Sequence, residues 1–156
     1  MADDQNKRLF RFWVEGYQAL HRLSELVKAS GIEAPLLELV KMRASQINGC
    51  AYCIDMHSKD ARAAGETEQR LYALNAWRET PFFTKRERAA LALTEAVTLI
   101  ADAHVPKAVL EEAAAEFTPD ELSRVLYAII EINAFNRLAI TVGGPVPGTY
   151  QPDDSS

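Results

Sequence analysis

Cys50, Cys53 and His57 stand together in the run Gln46-Ile-Asn-Gly-Cys-Ala-Tyr-Cys-Ile-Asp-Met-His57, which holds the chain's only two cysteines. On a helix, offsets of 0, 3 and 7 residues fall at about 0°, 300° and 340°, so all three share one face. Two thiols and an imidazole on one face are the parts of a redox site. A thiolate, not a thiol, attacks a peroxide or a disulfide, so such a site must remove a proton. The Asn48-Gly49 break puts the cysteines at a helix start, where unfilled N–H groups favour the anion. On that ground alone Cys50 is the favoured attacking thiol. A histidine one turn beyond Cys53 can relay the proton, because an imidazole titrates near neutrality.

The histidine in turn needs an acceptor, and Glu38 is the best candidate. It lies on the preceding helix, and a hairpin at Asn48-Gly49 folds that helix back beside the cysteines. The second thiol closes the cycle. Once one sulfur becomes a sulfenic acid, its neighbour condenses with it to a disulfide and stops further oxidation. An external dithiol must then reduce that bond.

Each residue has a plainer reading. A Cys-x-x-Cys pair is often half of a zinc site, but such sites usually need four ligands. Only His57 lies close, while His21 and His104 are far away in sequence, so no metal centre is expected. His57 alone reads as a surface histidine and Glu38 alone as a solvated helix charge; the combination is what raises them. Tyr52, between the cysteines, either shapes a pocket or packs. Trp77 and Phe82-Phe83 are better read as core than as walls of an approach to the site.

Composition narrows the classes. A chain of 156 residues with 48% apolar content suits one domain with a real core. A net charge of −5 without a basic stripe argues against nucleic acid. The longest uninterrupted apolar runs are short for a membrane span, and the start, Met-Ala-Asp-Asp-Gln-Asn-Lys-Arg, is too polar for a secretory signal. The expectation is a cytoplasmic protein with no membrane partner and no cofactor. In that compartment structural disulfides are rare, and a Cys-x-x-Cys pair is more often catalytic or metal-binding.

The elements that position these residues read as helix after helix. Leu9, Phe10, Trp13, Tyr17, Leu20, Leu23 and Val27 recur at helical spacing up to Gly31. Pro35 suits a first helical position, and a second helix runs to Asn48-Gly49. The third spans about Cys50 to Ala64 with Gly65 beyond it, and Thr67 opens a short one through Trp77. Two capping boxes, Thr84-Lys-Arg-Glu87 and Thr118-Pro-Asp-Glu121, begin helices reaching about Ala101 and Ile140, with a brief helix between Pro106 and Phe117. The expected fold is all-α, about seven helices in one domain over 1–142, with the redox core near 34–102. Residues 143–156 read as a flexible tail. The wide apolar arc of Leu122, Val125, Leu126, Ile129, Ile130 and Ile132, with Phe135 and Leu138, suits either a central helix or burial against a second surface.

The stretch Glu38-Leu-Val-Lys-Met-Arg-Ala-Ser-Gln-Ile-Asn-Gly-Cys-Ala-Tyr-Cys-Ile-Asp-Met-His57 resembles the core motif of the alkylhydroperoxidase AhpD-like proteins of the carboxymuconolactone decarboxylase superfamily. Their pattern is Glu, eleven residues, Cys-x-x-Cys, three residues, His, and every position is matched. The likeness continues through Trp77-Arg-Glu-Thr-Pro-Phe-Phe-Thr, the Glu87-Arg-Ala-Ala-Leu-Ala-Leu-Thr-Glu stretch and Ile132-Asn-Ala-Phe-Asn-Arg-Leu-Ala139. The resemblance implies an all-helical fold that forms trimers or hexamers, with peroxidase and disulfide-reductase activity. It implies that Cys53 becomes the sulfenic acid, that Cys50 is proton donor and resolving thiol, and that His57 and Glu38 complete the relay. A histidine found between the cysteines of well-studied members is Tyr52 here. The implied partners are a peroxide substrate, an external dithiol such as a lipoylated protein or thioredoxin, and further copies of the chain. The competing readings are a lactone decarboxylase-like enzyme, for which the cysteines are incidental, and a non-catalytic redox-sensing oligomer.

Overall fold

The computed structural model describes residues 13–152, and these are helical with no strand among them. The helices are α1 (Val14–Lys28), α2 (Ala34–Asn48), α3 (Ala51–Ala63), α4 (Glu68–Ala73), α5 (Lys85–Thr98), α6 (Ile100–Ala103), α7 (Lys107–Glu116) and α8 (Pro119–Val142). A 3-10 turn, Leu74–Glu79, follows α4 directly. Among the described residues eight α-helices stand where about seven were expected, because the segment after Thr84 breaks at Leu99 and splits off α6. Leu9 and Phe10 lie outside the described residues.

The helix starts follow their local chemistry. Both capping boxes form: Thr84 and Thr118 accept from the backbones of Glu87 and Glu121, whose carboxylates return the bond. Pro35 sits in the first turn of α2, where its missing N–H costs nothing. At the other end of α2, Gly49 adopts φ 72°, a left-handed conformation that favours glycine, and the chain turns back. The Cys50 N–H closes that turn by donating to Ser45 O at 3.0 Å. The hairpin between α2 and α3 is thus fixed by one glycine.

Helix α2 is the centre of the fold. Leu36, Leu37 and Val40 face one core with Ala89, Leu93, Val125 and Ile129 of α5 and α8. Leu39 and Met42 face a second with Leu71, Leu74, Trp77, Phe83 and Leu91. Trp77 belongs to that second core, and its indole Nε1 donates to Glu95 at 2.9 Å. Burial would push Glu95 up, but hydrogen bonds from Arg78, Trp77 and Arg43 outweigh it and hold the carboxyl below its usual range.

Between its two apolar sides α2 carries a polar stripe: Glu38, Lys41, Ser45 and Asn48, spaced at one helical turn. Asn48 Nδ2 donates to Asn133 Oδ1 at 3.0 Å and to Asn136 Oδ1 at 2.9 Å on α8. Asn136 Nδ2 donates to Ser45 Oγ at 3.0 Å, and Asn133 Nδ2 to Thr98 Oγ1 at 3.0 Å. This amide network ties the end of α2, and so the turn into α3, to the long helix. By length and mean hydropathy α8 is apolar enough to cross a membrane. It is nonetheless built into the domain, with Glu131, Asn133 and Asn136 among its buried residues.

Not every apolar residue is covered. Trp13, Leu26, Tyr127, Ile130 and Ile140 stand exposed on α1, its N-terminal edge and α8. The apolar arc of α8 therefore divides: Val125, Ile129 and Ile132 are buried, while Leu126 and Ile130 reach the surface.

Candidate active site

Cys50 is the N-cap of α3 and Cys53 lies in its first turn, so both sit where N–H groups have no helical partner. The two sulfurs form a disulfide, with Cα atoms 5.3 Å apart, an ordinary span for such a bond. Both residues are buried, yet they differ in outlook. Cys53 lines a cavity of about 290 Å³, and Cys50 is not among its walls.

His57 lies one turn past Cys53 and lines the same cavity. Its Nδ1 is 2.8 Å from Glu38 Oε2 on α2, which lies alongside because of the Gly49 turn. His57 is 5% exposed, which removes the reading as a surface histidine. Glu38 is likewise no solvated helix charge. A carboxylate on Nδ1 fixes the ring and leaves Nε2 to exchange a proton with a neighbour. All four residues singled out from the sequence thus meet at one place, Glu38 through His57.

Asp60 joins them from α3. Donor atoms of Glu38, His57 and Asp60 lie within 4.8 Å of one another. The Tyr150 hydroxyl donates to Asp60 Oδ1 at 2.7 Å. Residues 145–152, expected as part of a flexible tail, run along α3. The Gly148 N–H donates to Asp55 Oδ2 at 2.9 Å, and Lys59 Nζ donates to Tyr150 O at 2.9 Å. The Gly148 N–H, with the Lys59 ammonium, holds the Asp55 carboxyl below its usual range.

Beyond Tyr52, whose pocket-shaping reading holds, the rest of the cavity was not foreseen. Tyr52 lines the cavity, and burial raises its phenol above the ordinary value. His21, distant in sequence, reaches it from α1 and meets Phe135 edge-on at 5.2 Å. Lys41 and Glu131 line it too, their charged ends 3.5 Å apart. A signal existed for both. Lys41 is one turn beyond Glu38 on α2, and Glu131 interrupts the run Ile129-Ile130-Glu131-Ile132.

Residues 14–96, more than half of the chain, match the carboxymuconolactone decarboxylase family. This chain belongs to that family. An uncharacterized protein of Bacillus subtilis, YdfG, is 41% identical over 129 residues, covering 83% of this chain and 88% of the relative. The crystal structure of a protein of unknown function from Agrobacterium tumefaciens, described as a candidate antioxidant defence protein AhpD, superposes with a TM-score of 0.82. It is 37% identical and covers 92% of this chain and 95% of that one. The debrominase Bmp8 shares the fold, with a TM-score of 0.75 at 23% identity over 83% of this chain and 70% of that one. Within the family the domain is AhpD-like, as the motif around the cysteines implied.

Proposed function

We propose that the protein is a thiol-dependent peroxidase that reduces hydroperoxides through Cys50 and Cys53 at the expense of an external dithiol. One observation carries this reading: a Cys50–Cys53 disulfide at a helix start, with Cys53 facing a cavity that His57 also lines, and Glu38 bonded to His57 behind it. In the dithiol form, His57 takes the proton of the Cys53 thiol and Glu38 holds the resulting imidazolium. The Cys53 thiolate attacks one oxygen of the O–O bond and becomes a sulfenic acid. The other oxygen leaves as an alcohol, or as water from hydrogen peroxide, once it takes the proton from His57.

The Cys50 thiol then attacks the sulfenic sulfur. The disulfide forms and water leaves. A dithiol returns both thiols by exchange and is itself oxidised to a disulfide. The sum is one hydroperoxide and one dithiol converted to one alcohol, one water and one disulfide. Placement in the cavity supports Cys53 as the attacking sulfur, against the preference for Cys50 from the helix start alone. Tyr52 and the Asp60–Tyr150 pair stand near this path as neighbours rather than reactants.

The reading includes a cytoplasmic location, where dithiols are available, and a homo-oligomer, trimer or hexamer, that covers the exposed apolar residues of α1 and α8. An antioxidant role follows from the chemistry. The test is peroxide turnover with a panel of reductants: dihydrolipoamide, reduced thioredoxin and dithiothreitol. Turnover with at least one, abolished in Cys53→Ser, is expected. Lactone decarboxylation that survives loss of both thiols would transfer the assignment to the decarboxylase reading. A disulfide that forms without any turnover would transfer it to redox sensing.

A further inference from the structure

The cavity beside Cys53 has a polar corner that the thiol cycle leaves unused. Its walls are otherwise largely apolar, with Met56, Ile132, Phe135 and Leu138 among them. Lys41 and Glu131 enter it from α2 and α8, and both are more than nine-tenths buried. Their charged atoms are 3.5 Å apart, beyond good hydrogen-bond length. Glu131 Oε2 is buried and accepts no hydrogen bond among the described residues. Lys41 Nζ has no partner there other than Glu131.

Burying such a pair is unfavourable compared with two apolar residues of similar size, and leaving its hydrogen-bond capacity unfilled makes it worse. A corner with one spare acceptor beside spare donors suits a group that gives and takes a hydrogen bond at the same atom. That group is a hydroxyl. The pair carries no net charge, so it has no excess attraction for an ion. A volume of about 290 Å³ leaves room for much more than one water, whose share of the liquid is about 30 Å³. Apolar walls around a few convergent polar groups are the usual form of a small-molecule site.

We infer that Lys41 and Glu131 form a recognition subsite for the hydroxyl-type head of a small neutral ligand whose apolar body fills the rest of the cavity. Lys41 donates to the head oxygen, and Glu131 Oε2 accepts its proton. This rests on the peroxidase reading only for the ligand's identity, since a hydroperoxide and the alcohol it leaves both carry such a head. Neither residue takes part in the electron transfer.

The experiment compares 2-phenyl-2-propanol with cumene, its analogue lacking the hydroxyl, in ligand-observed NMR titrations of the disulfide form. The wild-type protein should bind the alcohol about tenfold or more tightly than cumene, the scale of one hydrogen bond to a charged group. Lys41→Met with Glu131→Leu should erase that preference while cumene still binds. Glu131→Gln, a milder change, should weaken the alcohol and leave cumene unaltered. Equal binding of the two ligands by the wild type, absence of alcohol binding, or a preference that survives the double change would overturn the subsite. No turnover is involved, so the outcomes separate. A hydroxyl preference without peroxide reduction sinks the peroxidase reading alone, and peroxide reduction without the preference sinks the subsite alone.

Discussion

His57 Nδ1 and Glu38 Oε2 lie 2.8 Å apart although nineteen positions separate them in the chain. The left-handed Gly49 brings them together by turning α3 back along α2. A pair held in this way acts as a unit. Glu38→Gln and His57→Asn should each slow peroxide turnover by about 10²–10⁴-fold, the scale of a positioned acid–base group. The double variant should cost little more than the worse single change. Rates of thiol alkylation against pH, measured on all three, check this; wild-type rates and an unchanged pH profile in both singles would make the residues structural.

The amide network behind the turn gives a second expectation. Replacing Asn136 with Leu leaves Ser45 Oγ and one Asn48 amide hydrogen without partners in a buried region. Stranded buried polar groups cost about 1–3 kcal/mol each. Urea unfolding should therefore show a destabilisation of that order, and the disulfide should become easier to reduce as the turn loosens. An unchanged midpoint and reduction rate would show that the network does not hold the turn.

The cap of α8 sets a pH dependence. The Thr118 N–H, then Arg86 and the Thr118 hydroxyl, hold the Glu121 carboxyl at about 2, against an ordinary value of 4.5. Its folded value is the lower one, so the unfolded chain binds the proton first on acidification. The contribution is complete above 4.5 and is lost as pH falls towards about 2. Stability of the wild type relative to Glu121→Gln should narrow across that window, as read by chemical denaturation at each pH. A constant gap would show that the carboxylate is not what the cap needs.

Assembly is the fourth. Leu126, Tyr127, Ile130 and Ile140 of α8 expose apolar surface that a partner copy would cover. Light scattering in dilute neutral buffer should give a mass near three or six times the 17.3 kDa chain. Ile130→Asp should shift the distribution towards monomer without lowering helix content. A wild-type monomer would leave these residues without that role.

Local chemistry explains what was legible beforehand. Capping boxes, Pro35, Gly49 and the helical repeat of apolar residues each act within a few positions, so helix order could be read from them. The same holds for Cys50, Cys53 and His57, whose spacing fixes their common face. Glu38 needed the hairpin as well. What escaped depends on contacts between distant segments. His21, Lys41 and Glu131 are brought to one cavity by α1, α2 and α8, and no local rule pairs residue 41 with residue 131. The polar stripe on α2 went unread beyond Glu38, because only the packing of α8 gives Lys41, Ser45 and Asn48 a shared direction. Leu99 shows the opposite failure, since a local break ended an otherwise continuous helical pattern.

The most direct test of the thiol cycle is a count of free thiols on the fully reduced protein before and after one equivalent of hydroperoxide, with mass analysis of the peptide holding both cysteines. The account predicts that both thiols disappear as the peroxide does, leaving that peptide lighter by two hydrogens with Cys50 bonded to Cys53. Cys50→Ser should stop at a sulfenic acid on Cys53. Peroxide consumed while both thiols remain free would contradict the account.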